Sequence, residues 1–329
     1  MYQILVREIG DDVANQIMAL MDRGVTQIAY LAAKKKLLKN RYLPKQLQKT
    51  IDRIVTTFHA DASSVIINGI NRSRKLADQK TTLITESYFG GGKKPPSKRI
   101  MAAAAGGGGR RPPKTPVNAA ADSFGKHFNA RQLSPRVWKL SNSYKSTINK
   151  TLVVEMKKGT PARAIAKQLR SNLRNSEGSE TPGQGVYKSP QKNAMRLART
   201  ETNLAYQHQD YERWQSLWFV TGIQVKLSNR HPVYDICDSM VGIYPKDFKF
   251  AGWHSQCLCI AIPVMASEAD RDKMLDFQLG LTNEKPVPEY VSTLPPAAKE
   301  WISKNSKRIQ GWKNEPYFIQ YNKKYIDLK

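Results

Sequence analysis

The sequence predicts an α+β protein: a mostly helical body with a small antiparallel β-hairpin or sheet following a long helix. Three observations carry this. Apolar residues return every three or four positions over much of the chain, which is the helical period. The period falls to two at "FVTGIQVKLS" (219–228), where Ile223, Val225 and Leu227 alternate with polar residues. A loop marked by Pro232, Gly242, Pro245 and Gly252 then leads to a second strand candidate, "CLCIAIPV" (257–264).

Residues 1–88 read as an N-terminal basic helical region. Val13, Ile17, Leu20, Met21, Val25 and Ile28 line one face of a helix over 11–39. Lys34, Lys35 and Lys36 fall near its end, where cations favour the helix dipole. Leu47, Ile51, Ile54, Val55 and Phe58 form one stripe in 44–79, which predicts one or two more helices.

Residues 89–120 change character, with "GGGKKPPSKR" and "AAAAGGGGRRPPKTP". Such a segment cannot bury enough apolar surface to order itself. It is either a plain linker or a basic arm whose Lys93, Lys94, Arg110 and Arg111 contact nucleic acid.

Residues 121–265 form the expected core domain. Phe128, Leu133, Val137, Leu140, Tyr144 and Ile148 make a helical stripe. In "KKGTPARAIAKQLR", Gly159 ends a helix, Thr160 caps the next, Pro161 sits at its first position, and Ile165 and Leu169 face inward. A polar loop follows at 175–190. Ser189 and Pro190 open a long helix, on which Leu197, Leu204, Tyr211 and Trp218 are seven apart. Residues 266–329 read as a C-terminal helical tail. Its helix near 295–309 starts behind Pro295 and Pro296, and Trp312, Tyr317, Phe318, Tyr321 and Tyr325 follow.

The formal net charge of +26 points to polyanionic partners. It is spread along the chain: residues 1–120 carry 21 Lys+Arg against 8 Asp+Glu, and the remainder 32 against 19. Three cysteines, an odd number, argue against a disulfide framework and for a reducing compartment. Asp11, Asp12, Asp22 and Arg23 interrupt residues 1–30, so no signal-peptide core is expected there. The longest apolar runs are too short to predict a transmembrane helix. Synthesis in the cytoplasm is the expectation.

Two of the cysteines sit in "GWHSQCLCI" (252–260) beside one of five histidines. Cys237, His254, Cys257 and Cys259 make a Cys₃His set, a donor combination that tetrahedral zinc accepts. His231 is a reserve ligand. The alternative is two small buried cysteines on one strand face, with His254 hydrogen-bonded in the turn. A nucleophilic cysteine would need a paired base and an oxyanion site, which nothing in the sequence marks. A second constellation is "RLARTETN" (196–203). Arg199 and Asn203 share a helix face at i, i+4, with Glu201 on another side. These residues, with Asp235, are candidate polar ties between the helix and the following loop. Asp235 and Asp238 are candidate partners for Arg199. The plainer reading is a solvated helix face.

In order, the "ARTETN" helix, a strand, a Cys-containing loop with a glycine and a closing "WHxxCxC" segment resemble the phage minor head, or head morphogenesis, proteins. The Mu F-like and Bacillus phage minor head proteins typify that family. Its terminal segment reads His-Pro-Asn-Cys-Arg-Cys. Here it stands as His254-Ser255-Gln256-Cys257-Leu258-Cys259, with the His-x-x-Cys-x-Cys spacing kept. The family often has Cys-x-x-Cys five residues before a glycine. Cys237 precedes Gly242 by five and matches the second cysteine, while the first falls on Tyr234. The resemblance covers about 130–265. It implies a minor capsid protein without enzymatic activity, associated with the portal and other capsid proteins inside the DNA-filled head. Such a protein assists head assembly and DNA packaging or ejection, contacts double-stranded DNA non-specifically, and carries at most one structural zinc.

Other function classes remain open on the sequence. A metal-dependent nuclease would use His231, Asp235 and His254 with open metal coordination and a general base. An ADP-ribosyltransferase-type toxin domain would need Glu-x-Glu or Gln-x-Glu on a strand, whereas "TET" (200–202) lies on a predicted helix. A generic basic nucleic-acid-binding protein would bind DNA in a salt-dependent way without affinity for a portal. Its tail aromatics would serve either base stacking or core packing.

Overall fold

The computed structural model describes residues 2–34, 43–90, 130–158, 160–174, 189–228, 234–312 and 315–326. Lys93, Lys94, Arg110 and Arg111, His231 and most of the polar loop at 175–190 lie outside the described residues.

Among the described residues, five helices come first: α1 (Tyr2–Lys34), α2 (Lys45–Gly90), α3 (Ala130–Lys157), α4 (Ala162–Arg174) and α5 (Pro190–Gln215). Then follow β1 (Val220–Lys226), the short α6 (Ile236–Ser239), β2 (Gly242–Pro245) and β3 (Ile260–Met265). The chain closes with α7 (Glu268–Gln278), α8 (Pro296–Gln310) and α9 (Tyr317–Gln320). This is the helical body with a small antiparallel sheet that the periodicities predict. Among the described residues, no helix is long and apolar enough to cross a membrane.

The chain divides into two compact units, each built from non-contiguous segments. One comprises Arg7–Arg72 and Ala121–Thr202, the other Met1–Val6, Ser73–Ala120 and Asn203–Lys329.

The first unit is helical. The predicted stripes form its core: Val13, Ile17, Met21, Val25 and Ile28 of α1, Ile51, Val55 and Phe58 of α2, and Val137, Leu140, Tyr144 and Ile148 of α3 are all buried. Tyr144 Oη donates to the Met21 carbonyl at 2.8 Å. That contact explains a glycine in mid-helix, since a Cβ on Gly24 would lie 2.3 Å from Tyr144 Oη. Ile165, Leu169 and Leu173 of α4 face inward. Thr160 serves differently from the expected cap: its hydroxyl donates to Glu155 Oε2 at 2.7 Å. Ser189 does cap α5, accepting from Lys192 N at 3.3 Å.

The second unit holds the sheet, in the order β2-β1-β3 with both pairings antiparallel. β1 is the central strand, with Ile223 opposite Tyr244 on one side and Pro263 on the other. β2 falls inside the segment that the sequence reads as loop. It is only four residues long, with Gly242 and Pro245 at its ends, so it offers no period to read. β3 starts at Ile260, later than expected, and Cys257 and Cys259 therefore precede the strand. The core gathers Phe219, Val225, Tyr244, Phe248, Trp253 and Phe318. Phe318, Ile319 and Ile326 of the tail are buried, so core packing takes that part of the aromatic end.

Candidate metal centre

Each side of the cysteine cluster is set by local chemistry. Asp235 is the N-cap of α6: its Oδ1 accepts from Cys237 N at 2.6 Å. Asp238 Oδ2 accepts from Asp235 N at 2.8 Å, which completes a capping box. This doubly tied turn fixes Cys237, whose side chain is fully buried.

The other side is a tight reversal over 252–257. Gly252 has φ +80°, and a Cβ there would lie 3.0 Å from Cys257 Cβ. Gln256 also takes a positive φ of 61°, and Cys257 N donates to His254 O at 3.2 Å. Trp253 anchors the turn in the aromatic core, its ring 5.1 Å from Phe250 and 5.4 Å from Phe318. The reversal turns His254 and Cys257 towards Cys237.

Cys237 Sγ stands 3.1 Å from His254 Nε2 and 3.7 Å from Cys257 Sγ. All donor atoms of these three residues lie within 4.8 Å of one another. Both thiols are buried and the imidazole is exposed. His254 Nδ1 sits 2.7 Å from the Ser255 carbonyl, which can only accept, so Nδ1 carries the proton. In the neutral ring, Nε2 then has a free lone pair facing the thiols, the tautomer that metal ligation requires. Asp235 Oδ2 is 3.3 Å from the same nitrogen.

Cys259 is also buried. It lies outside the tight group of three. Contact with Cys237, with Cys259 adding to it, holds the Cys257 thiol well below its ordinary range, against the effect of burial. The Cys237 thiol is pushed up by Cys257 and Cys259 and by burial. Protonation of the three sulfurs is therefore linked. A cation that displaces the remaining protons would gain the whole donor set. The buried Cys-His-Cys group could hold a metal ion.

The backbone carrying these ligands is held from two further places. Asn203 Nδ2 donates to Cys257 O at 3.2 Å. Gln3 Nε2 donates to Cys259 O at 2.8 Å and also to Leu258 O.

The structure places the predicted polar ties as follows. Asn203 and Asp235 meet the cysteine cluster. Arg199, expected against Asp235 or Asp238, donates Nε to Asp11 Oδ1 at 2.5 Å. Asp11 lies far away in sequence, where residue spacing gives no signal. Glu201 is fully buried and ion-pairs with Arg136 of α3. Burial raises its carboxyl to about 7, against the pull of Arg136. A solvated face therefore does not describe this stretch.

Sequence reasoning missed two contributors, Gln3 and the carbonyl of Ser255, and marked Gly252 only as a loop residue. Only Gly252 left a signal, as a glycine directly before the Trp-His pair. A buried pair in the sheet-bearing unit also went unread. Lys80 ion-pairs with Asp210, its ammonium 4.6 Å from the Tyr206 ring and 5.0 Å from the Trp214 ring.

No family model, curated protein or solved structure matches this chain.

Proposed function

We propose that the chain is a non-enzymatic structural protein of the phage minor head type, portal-associated and facing packaged double-stranded DNA. One zinc ion would clamp its Cys-rich reversal. The observation that carries this reading is the hydrogen bond from Asn203 to the Cys257 carbonyl. It joins the last residue of the "ARTETN" motif, in the middle of α5, to the "WHSQCLC" segment, so the two halves of the resemblance meet at one site.

The donor geometry supports zinc. Two thiolates bound tetrahedrally at about 2.3 Å stand about 3.8 Å apart, and Cys237 and Cys257 stand 3.7 Å apart. Cys237, Cys257 and His254 would supply three ligands, and the neighbouring Cys259 the fourth. Buried, thiolate-rich donors suit a structural ion that closes a loop rather than an open catalytic one. When bound, the ion supplies folding energy by fixing α6 against the reversal before β3. The charge of +26 fits a protein working among close-packed phosphates.

The test is co-expression of the tagged chain with the portal protein of the same phage. Lysates are nuclease-treated, and capture is made at moderate salt to remove DNA-bridged association. The reading expects portal protein in the eluate and the chain in purified heads. A chain that binds DNA, captures no portal and is absent from heads would return it to the generic nucleic-acid-binding class.

A further inference from the structure

One segment of this basic chain is locally acidic and carries exposed leucines. Residues 267–290 carry Glu268, Asp270, Asp272, Asp276, Glu284 and Glu289 against Arg271, Lys273 and Lys285. On α7 and its C-cap, Asp272, Leu275, Asp276 and Leu279 fall at i, i+3, i+4 and i+7, so they share one face. All four are exposed, Leu275 by 44% and Leu279 by 64%. Leu281 and Val287, just beyond, are exposed by 73% and 79%. Met274 is the buried anchor of this helix. Exposed apolar side chains clustered this way, rather than scattered singly, mark an interaction surface.

The helical unit carries the complementary surface. A groove of about 460 Å³ lies along α1 and α2, with Leu20, Ile54 and Phe58 among its apolar residues and Arg23 and Arg53 beside them. Both arginines are exposed, and neither has an ion-pair partner among the described residues. Asp61, also in the lining, complements Lys273.

We propose that the Asp272–Leu275–Asp276–Leu279 face docks into the Arg23/Arg53 groove of a second copy of this chain. Leucines would fill the apolar part of the groove while the two carboxylates pair with the two guanidiniums, Asp272 giving up its exposed contact with Arg271 Nε at 3.3 Å. Net repulsion between two strongly positive copies is screened beyond about 8 Å at physiological salt, whereas these pairs act at contact range. The two surfaces differ, so the contact is heterologous. Each copy keeps one free groove and one free helix face, and the assembly either closes into a ring or extends. This proposal stands apart from the phage-head reading and survives its failure.

Sedimentation velocity on the nuclease-treated full chain tests it. The parent should sediment well above the 37.2 kDa of one chain, increasingly so with concentration. Leu275→Ser/Leu279→Ser and Arg23→Glu/Arg53→Glu should each sediment as a monomer. Mixed, the two variants should form a dimer that grows no further, because one brings only a groove and the other only a helix face. All four positions bear on the surface, and circular dichroism checks that each variant keeps its helix content. Arg23→Gln/Arg53→Gln serves as a milder groove variant. A monomeric parent, association that survives either double variant, or a mixture that fails to pair would overturn the proposal.

Discussion

Glu201 should govern the pH dependence of the helical unit. Its side chain is fully buried on α5, with Arg136 as its ion-pair partner. Burial moves its carboxyl from 4.5 to about 7, in spite of Arg136. The folded state therefore holds this proton more tightly than the unfolded chain does. The stability it contributes is complete below pH 4.5 and is lost as the pH rises through about 7. At about 1.4 kcal/mol per tenfold change in proton affinity, the full swing is about 3 kcal/mol. Glu201→Gln keeps the shape and cannot ionise. Chemical denaturation followed by far-UV circular dichroism would compare parent and variant from about pH 5 to about pH 8. The variant should gain on the parent by about 3 kcal/mol over that range. A constant offset between the two would refute the reasoning. It would mean that Glu201 is ionised throughout and that Arg136 outweighs burial.

Two further perturbations probe the two cores. Gly24→Ala puts a Cβ 2.3 Å from Tyr144 Oη and 2.9 Å from Ile54 Cγ2, and should destabilise by about 1–3 kcal/mol in thermal melts. Tyr144→Phe should cost about 1 kcal/mol for the lost bond to Met21 O and should recover part of the Gly24→Ala loss in the double variant, a coupling that a mutant cycle reads directly. Lys80→Met leaves Asp210 buried without its partner and should cost about 3–5 kcal/mol, while Lys80→Met/Asp210→Asn should recover most of it. Equal melting of the single and double variants would show that Lys80 contributes through its packing on Tyr206 and Trp214 alone.

The helical body was readable because its stripes are long and regular. The positions from Val13 to Ile28 and from Val137 to Ile148 are buried as their spacing requires. Helix α2 reads as one or two segments in sequence and is continuous over 46 residues. β2 was hidden by its brevity, and Cys257–Cys259 looked like strand because alternation there runs directly into β3. The donor set itself was legible from residue type: a basic chain with three cysteines places two of them beside a histidine. What spacing could not show is how the set is held. Asn203 reaches a carbonyl 54 residues away and Gln3 reaches one 256 residues away, and no local pattern encodes such ties. Asp235 reads in sequence as a partner for Arg199, whereas the structure uses it as the cap of α6. The burial of Glu201, which the sequence offered only as a polar tie, and of Asp210 was hidden for another reason. Their burial depends on a basic partner from a different helix, Arg136 for one and Lys80 for the other.

The zinc content of the purified chain tests the metal clamp proposed for the reversal at Gly252–Cys259. Elemental analysis would be paired with thermal melts of the parent, the chelator-treated parent and Cys257→Ser. The account predicts about one zinc per chain, lost on chelation and in the variant, with a fall in melting temperature each time. A metal-free parent, and a Cys257→Ser variant that melts where the parent does, would contradict it.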